Sequence, residues 1–180
     1  MLTEIETFVN WLRRRNPHSR TWRDYRNDLL QFTALAGDRP PGAITFRDVD
    51  RFVADQTNKR FQPATINRRL AAITAFYTFL ADEDPSLVCP VLPHRHNLRE
   101  RQRLPRPVQE HDLSSFFAAI DDGRDLAMFL LMLRCGLRIG EVAALLLADL
   151  YLDEAAPRLV ARGKGSRERS VYVSPQAERA

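Results

Sequence analysis

The chain has 180 residues, 44% of them hydrophobic, enough to build a core in one or two small domains. Its net charge is only +4, which excludes a uniformly basic coat, but the charge is uneven: residues 1–81 hold 13 basic and 8 acidic residues, and residues 108–180 hold 9 and 11. No run approaches the roughly 18–20 apolar residues of a membrane span, no secretory leader is expected, and the two cysteines lack metal-ligand spacing. Free thiols, a reducing compartment and a cytosolic or nucleoid-associated protein are the expectation.

The first predicted helix covers residues 2–15, with Ile5, Phe8, Val9 and Leu12 on one stripe, and ends in Arg13-Arg14-Arg15 ahead of Asn16-Pro17. The three arginines read either as a solvated helix end or as phosphate contacts. The second helix is expected to open at Thr21 or Ser19, with Asp24 completing a capping box after Thr21. Trp22, Tyr25, Leu29, Phe32 and Ala36 follow helical steps and read as core. Gly37 and Pro40-Pro41 close the segment.

A third helix is predicted from Thr45 to about Thr57, with Asp48 three residues after its cap and Val49, Phe52 and Val53 inward. The fourth runs from Pro63, suited to a first helical turn, to Leu80. Its apolar face is Ile66, Leu70, Ile73, Phe76, Tyr77 and Leu80. Thr65, Asn67, Arg68 and Arg69 are placed at its beginning, off that face, with Lys59 and Arg60 just before it. A basic, Asn-bearing helix start is how major-groove helices present base-reading and phosphate-holding groups. It is equally how a solvated face looks. Thr21, Arg23 and Arg26 are secondary candidates.

Residues 82–107 carry five of the eleven prolines with Arg95, Arg99, Arg101, Arg103 and Arg106 among them, and read as an extended linker able to follow a phosphate backbone. His94-x-His96 lacks further ligands at metal spacing, so no metal site is expected. A helix over residues 109–119 then shows Leu113, Phe116, Phe117 and Ile120 on one face. The run of eight apolar residues at 126–133 predicts a buried central helix over about 124–135, with Met128 and Met132 as core filler. Gly136 suits a left-handed helix end, and a new helix is expected from Arg138 to about Leu147. Arg138 would then combine a planar fork of donors with the positive end of a helix, a phosphate site in outline, with Glu141 one turn away to orient it. Three short strands are predicted at 150–152, 158–162 and 169–173, then a helix start at Pro175. The stretch 158–173 carries Arg158, Arg162, Lys164, Arg167 and Arg169 against Glu168 alone, and Lys164 sits between two glycines at a hairpin tip.

Gly-Leu-Arg-x-x-Glu at 136–141 and Gly-Lys-Gly-x-Arg-x-Arg at 163–169 resemble the first catalytic box and the β-hairpin lysine motif of the tyrosine site-specific recombinases, the phage integrase family, with the Xer-type members most similar. That resemblance implies a mainly α chain: a SAM-like four-helix core-binding domain at 1–84, a Pro/Arg-rich linker at 85–107, and at 108–180 the first part of an α+β catalytic domain with a small sheet. The complete enzymes cut DNA by attack of a tyrosine on the scissile phosphate, giving a 3′-phosphotyrosine and a free 5′-hydroxyl, without metal or cofactor. It implies Arg138 as a phosphate clamp, Lys164 as general acid and Glu141 as orienter. Thr21, Lys59, Arg60, Thr65, Asn67, Arg68, Arg69, Arg167 and Arg169 are the implied DNA contacts. Double-stranded DNA and other recombinase protomers are the implied partners, with no membrane and no small-molecule cofactor. The family's His-x-x-Arg box and nucleophilic tyrosine have no counterpart within 180 residues, because Tyr25 and Tyr77 follow core spacing and Tyr151 and Tyr172 fall in the sheet region. The alternative is therefore a DNA-binding remnant that occupies or blocks a recombination site, and a third is an unrelated helical DNA-binding regulator. On either of the first two, residues 1–81 are expected to fold by themselves and 108–180 to be marginally stable.

Overall fold

A computed structural model describes residues 1–17, 19–100, 104, 106–153, 155–163 and 167–180. The chain divides into two compact units, Met1–Arg103 and Leu104–Ala180.

The first unit is a bundle of α1 (Leu2–Arg15), α2 (Thr21–Ala36), α3 (Phe46–Asn58) and α4 (Pro63–Ala81). Each sends its predicted stripe inward: Ile5, Phe8 and Val9 meet Leu29 and Phe32, Val49 and Phe52, and Ile66, Leu70, Ile73, Phe76, Tyr77 and Leu80. Phe8 packs on Phe76 at 5.7 Å and Phe32 on Phe52 at 5.3 Å, both edge to face. The start of α3 is fixed by Asp48, whose carboxylate accepts the Thr45 N–H at 2.8 Å and the Thr45 hydroxyl at 3.0 Å and pairs with Arg39 and Arg51. Burial pushes that carboxyl up, but the Thr45 N–H and the two guanidiniums override it and hold it far below the usual range. The start of α2 departs from expectation. Thr21 is its first helical residue rather than its cap, so the Thr21–Asp24 box does not form; the Ser19 hydroxyl accepts the Thr21 N–H instead, at 3.1 Å.

The proline-rich stretch also departs from expectation, because residues 87–98 pack on the bundle rather than run free. Val91 is buried with the core, and Leu87, Cys89 and Leu98 lie against it. Pro93 opens a single turn, α5 (Pro93–His96), and His96 inside it accepts the Leu92 N–H on Nδ1 at 2.8 Å. Arg95 grips Asp50 of α3 through two bonds of 2.8 and 2.7 Å. Apolar anchors at alternating positions outweigh the tendency of proline to keep a chain extended.

The second unit contains α6 (Glu110–Ala118), α7 (Gly123–Cys135), α8 (Ile139–Ala143), β1 (Leu150–Tyr151), β2 (Arg158–Arg162), β3 (Glu168–Tyr172) and α9 (Pro175–Glu178). The strands form an antiparallel sheet in the order β1-β2-β3, with Leu159 opposite Val171 and Arg162 opposite Glu168. Asp122 caps α7 through the Arg124 N–H, and Gly136 ends it at φ +67°, the left-handed stop read from the sequence. Two expectations fail here. The apolar helix α7 has no fully buried residue, and Phe129 and Leu133 are exposed along it, so Met128 and Met132 fill no closed core. The buried cluster is instead Leu137, Leu159 and Ala161, where α8 meets the sheet. And α8 ends at Ala143 rather than near Leu147, giving way to a 3-10 turn at Leu147–Asp149. No described helix is long and apolar enough to cross a membrane.

Candidate nucleic-acid interface and phosphate site

Glu141 is the centre of the second unit's site. Its carboxylate is 5% exposed and accepts three arginine donors: the Arg138 backbone N–H at 2.8 Å, the Arg138 guanidinium at 3.0 Å and Arg169 Nη2 at 2.9 Å. Arg169 reaches on to the Gly136 carbonyl at 3.0 Å, tying β3 to the α7–α8 corner. Gly163, where the hairpin leaves β2, brings its backbone beside Glu141 Oε1; a Cβ there would lie 3.5 Å from it. One buried acid therefore organises the helix corner and the base of the hairpin, and leaves the Arg138 side chain 80% exposed. The short α8 contributes less than expected, since five residues carry little dipole and the Arg138 N–H is already taken by Glu141. What remains for an anion is the guanidinium fork itself.

The Glu141 carboxyl is drawn from its ordinary 4.5 to about 2, first by the Arg138 N–H and then by Arg169, with burial opposing. A depressed folded value means that this carboxylate's stabilisation is complete above 4.5 and drains away as pH falls toward 2. The native chain should therefore lose amide-exchange protection around Val142 and Arg169 across that window. Glu141→Gln should start less protected at neutral pH and change little; a Gln variant as steeply acid-sensitive as the native chain would contradict the assignment.

Asp149, absent from the sequence reading, is a second such acid. It accepts the Leu146 N–H at 3.0 Å and pairs with Arg162 of β2, which also reaches Glu168 at 3.2 Å. Thus each strand of the hairpin is fastened by one buried carboxylate. The signal was available: an acid embedded in Leu145-Leu146-Leu147-Ala148-Asp149-Leu150 is buried only if paired. Arg167 is exposed at the hairpin. Lys164 lies outside the described residues, as do Arg101 and Arg103.

In the first unit the basic start of α4 is less free than its composition suggests. Asn67 is turned to the protein's own backbone: its amide accepts the Leu98 N–H at 2.9 Å and donates to the Leu98 carbonyl at 2.9 Å and to Glu100 at 2.8 Å. Arg69, expected off the apolar face, is buried against Phe61, 4.2 Å from the ring centroid. The core stripe is wide enough to include it, and the aromatic ring takes the place of water. Arg68 is half-exposed and bound to Asp28 of α2. Lys59 pairs with Asp55 at 2.8 Å; Arg60 is exposed, in the left-handed conformation at φ +59°; Thr65 is half-buried. The Thr21 hydroxyl is 2.7 Å from the Ser19 hydroxyl. Asp28 also escaped the sequence reading, although it keeps helical register with Tyr25 and Phe32.

A helical bundle followed by a mainly helical unit with a small antiparallel sheet matches the integrase fold. The chain superposes on a lambda integrase tetramer bound to a Holliday junction with a TM-score of 0.73 at 14% identity, over 94% of this chain and 49% of that one. It superposes on the Tn1549 transposon integrase in complex with circular intermediate DNA with a TM-score of 0.65 at 19% identity, over 98% and 62%. The chain belongs to the phage integrase family, the tyrosine recombinases: residues 5–84 match its N-terminal SAM-like domain and residues 106–180 match the phage integrase family itself. It is 28% identical over 183 residues to tyrosine recombinase XerC of Listeria welshimeri and 31% identical over 181 residues to tyrosine recombinase XerD of Lacticaseibacillus casei, each alignment taking in 96% of this chain. The chain spans 60% of the length of these curated relatives.

Proposed function

We propose that this chain is the DNA-binding and phosphate-clamping portion of a site-specific recombinase, acting on double-stranded DNA in the cytoplasm together with other recombinase protomers. In this reading residues 1–84 form the core-binding domain, 85–107 the connection and 108–180 the first part of the catalytic domain. Arg138 holds a non-bridging oxygen of the scissile phosphate, Lys164 protonates the departing 5′-oxygen, and Glu141 is a positioning residue that holds Arg138 at the corner. Lys59, Arg60 and Arg68 hold phosphates beside α4, and Arg167 does so along the hairpin, where Arg169 serves to brace Glu141. The observation that supports the reading is the shared carboxylate: Glu141 fixes the backbone of Arg138 and the strand β3 together while leaving the Arg138 side chain largely exposed.

Binding of a fluorescent duplex tests it. Arg138→Ala and Lys164→Ala should each weaken binding about tenfold or more, the scale of a charge-assisted hydrogen bond of about 1.5–3 kcal/mol. Arg124→Ala removes an exposed arginine of the same unit, paired with its neighbour Asp125, and should change little. Equal losses from all three would mean that Arg138 and Lys164 act only as general surface charge, and the reading would fall.

A further inference from the structure

Asp28 is buried in α2, 2% exposed, and two consecutive arginines of α4, Arg68 and Arg69, converge on it. Arg68, 47% exposed, donates through both terminal nitrogens, Nη1 to Oδ2 and Nη2 to Oδ1 at 3.0 Å. Arg69, 8% exposed, stands with Nε 3.6 Å from the same Oδ1, close enough for an ion pair but just outside hydrogen-bonding distance, and its buried Nε and Nη1 have no hydrogen-bond partner among the described residues. A carboxylate has about four acceptor positions, and Arg68 fills only part of them. Burial pushes the Asp28 carboxyl up, and Arg68 and Arg69 do not fully offset it, in keeping with an acid that has room for a further donor.

The two arginines are therefore not equivalent. Arg68 has about half of its side chain in solvent at the basic start of α4, while Arg69 is held inside by Phe61. Withdrawing Arg68 from a solitary buried carboxylate would strand a charge away from water, the costliest outcome for an ion pair. Arg69 removes that obstacle, because a shift of less than an ångström brings its idle Nε onto Asp28. We propose that Asp28 holds Arg68 back in the free protein and passes to Arg69 when a DNA phosphate draws Arg68 outward, which makes Arg68 the phosphate ligand and Arg69 its replacement on Asp28. The inference rests on the reading of α4 as a DNA-facing helix. It assigns Arg69 an indirect part in binding, as a positioning residue that never meets the duplex.

The test is a double-mutant cycle on the full chain, read as affinity for a mixed-sequence duplex, with thermal melts of every variant. Asp28→Asn, which keeps the shape and removes the charge, should tighten binding about threefold or more by freeing Arg68. Arg68→Gln should weaken it several-fold. In the Arg68→Gln background, Asp28→Asn should have no further effect. Tightening of the same size in both backgrounds is general electrostatics and overturns the proposal, as does no tightening at all. Should Asp28→Asn fail to fold, Arg69→Met gives the second arm: with no replacement partner for Asp28, binding should weaken about as much as in Arg68→Gln, and unchanged affinity overturns the proposal. A native chain that binds no duplex defeats the DNA-binding reading and this inference together. A chain that binds through Arg68 without any influence of Asp28 or Arg69 defeats this inference alone.

Discussion

Phe76→Ala should destabilise the first unit by about 3–5 kcal/mol, the range for removing a buried aromatic side chain from a packed core. Phe76 lies on the inner face of α4, fully buried, with the rings of Phe8 of α1 at 5.7 Å and Tyr77 at 5.6 Å. Aromatic rings packed edge to face leave an irregular void that aliphatic neighbours cannot close, so the cavity adds to the lost transfer energy. Out of a total of about 5–15 kcal/mol for a domain, that is a large share. Both tryptophans, Trp11 and Trp22, belong to this unit and pack against its core, so their fluorescence during urea unfolding reports on it directly. Phe116→Ala is the control: Phe116 is exposed on α6 and meets Phe129 across 4.9 Å, worth at most about 1 kcal/mol. Comparable losses from both substitutions would refute the picture of one deep core and one shallow one.

Hydrogen exchange should separate the two units just as sharply. Amides in the middle of α2 and α4 should be protected at least about a hundredfold more than those of α6 and α7, a difference of about 2.7 kcal/mol in opening free energy. Among the described residues, seventeen hydrophobic side chains form the buried cluster of the first unit and three that of the second. Backbone hydrogen bonds in α6 and α7 form regular helix, yet helices of nine and thirteen residues owe most of their persistence to packing. Limited proteolysis reads the same difference: cuts should fall first after residue 104, and a resistant fragment from residues 104–180 would contradict it.

The bundle was legible because its signals are local and repeat. Trp22, Tyr25, Leu29, Phe32 and Ala36 mark a helix face by spacing alone, and Thr45 with Asp48 marks a start that the structure forms with bonds of 2.8 and 3.0 Å. The corner at Gly136 and the β2–β3 hairpin were legible for the same reason. The depth of α7 was not. Eight apolar residues in a row state that a helix wants cover, but not whether the described chain supplies it. The pairing of arginines was hidden too, because Asp28 and Arg68 are 40 positions apart and Asp149 and Arg162 are 13 apart, so no local window contains the partner. Asn67 shows the limit most clearly: a groove-reading side chain by type and place, it spends its amide on Leu98 and Glu100 instead.

These internal pairings bear on how the molecule meets a polyanion. A cation that already neutralises a carboxylate displaces fewer counterions from DNA than a bare one, and the steepness of salt dependence, about 0.9 per phosphate neutralised, counts displaced counterions rather than arginines. Arg162 is shared between Asp149 and Glu168, Arg169 leans on Glu141, Arg95 on Asp50, and Arg39 and Arg51 divide Asp48. Much of the positive charge written in the sequence is thus committed to the architecture. The ionic-strength response should accordingly be shallow for so arginine-rich a chain, with recognition resting on a few cations held at fixed positions.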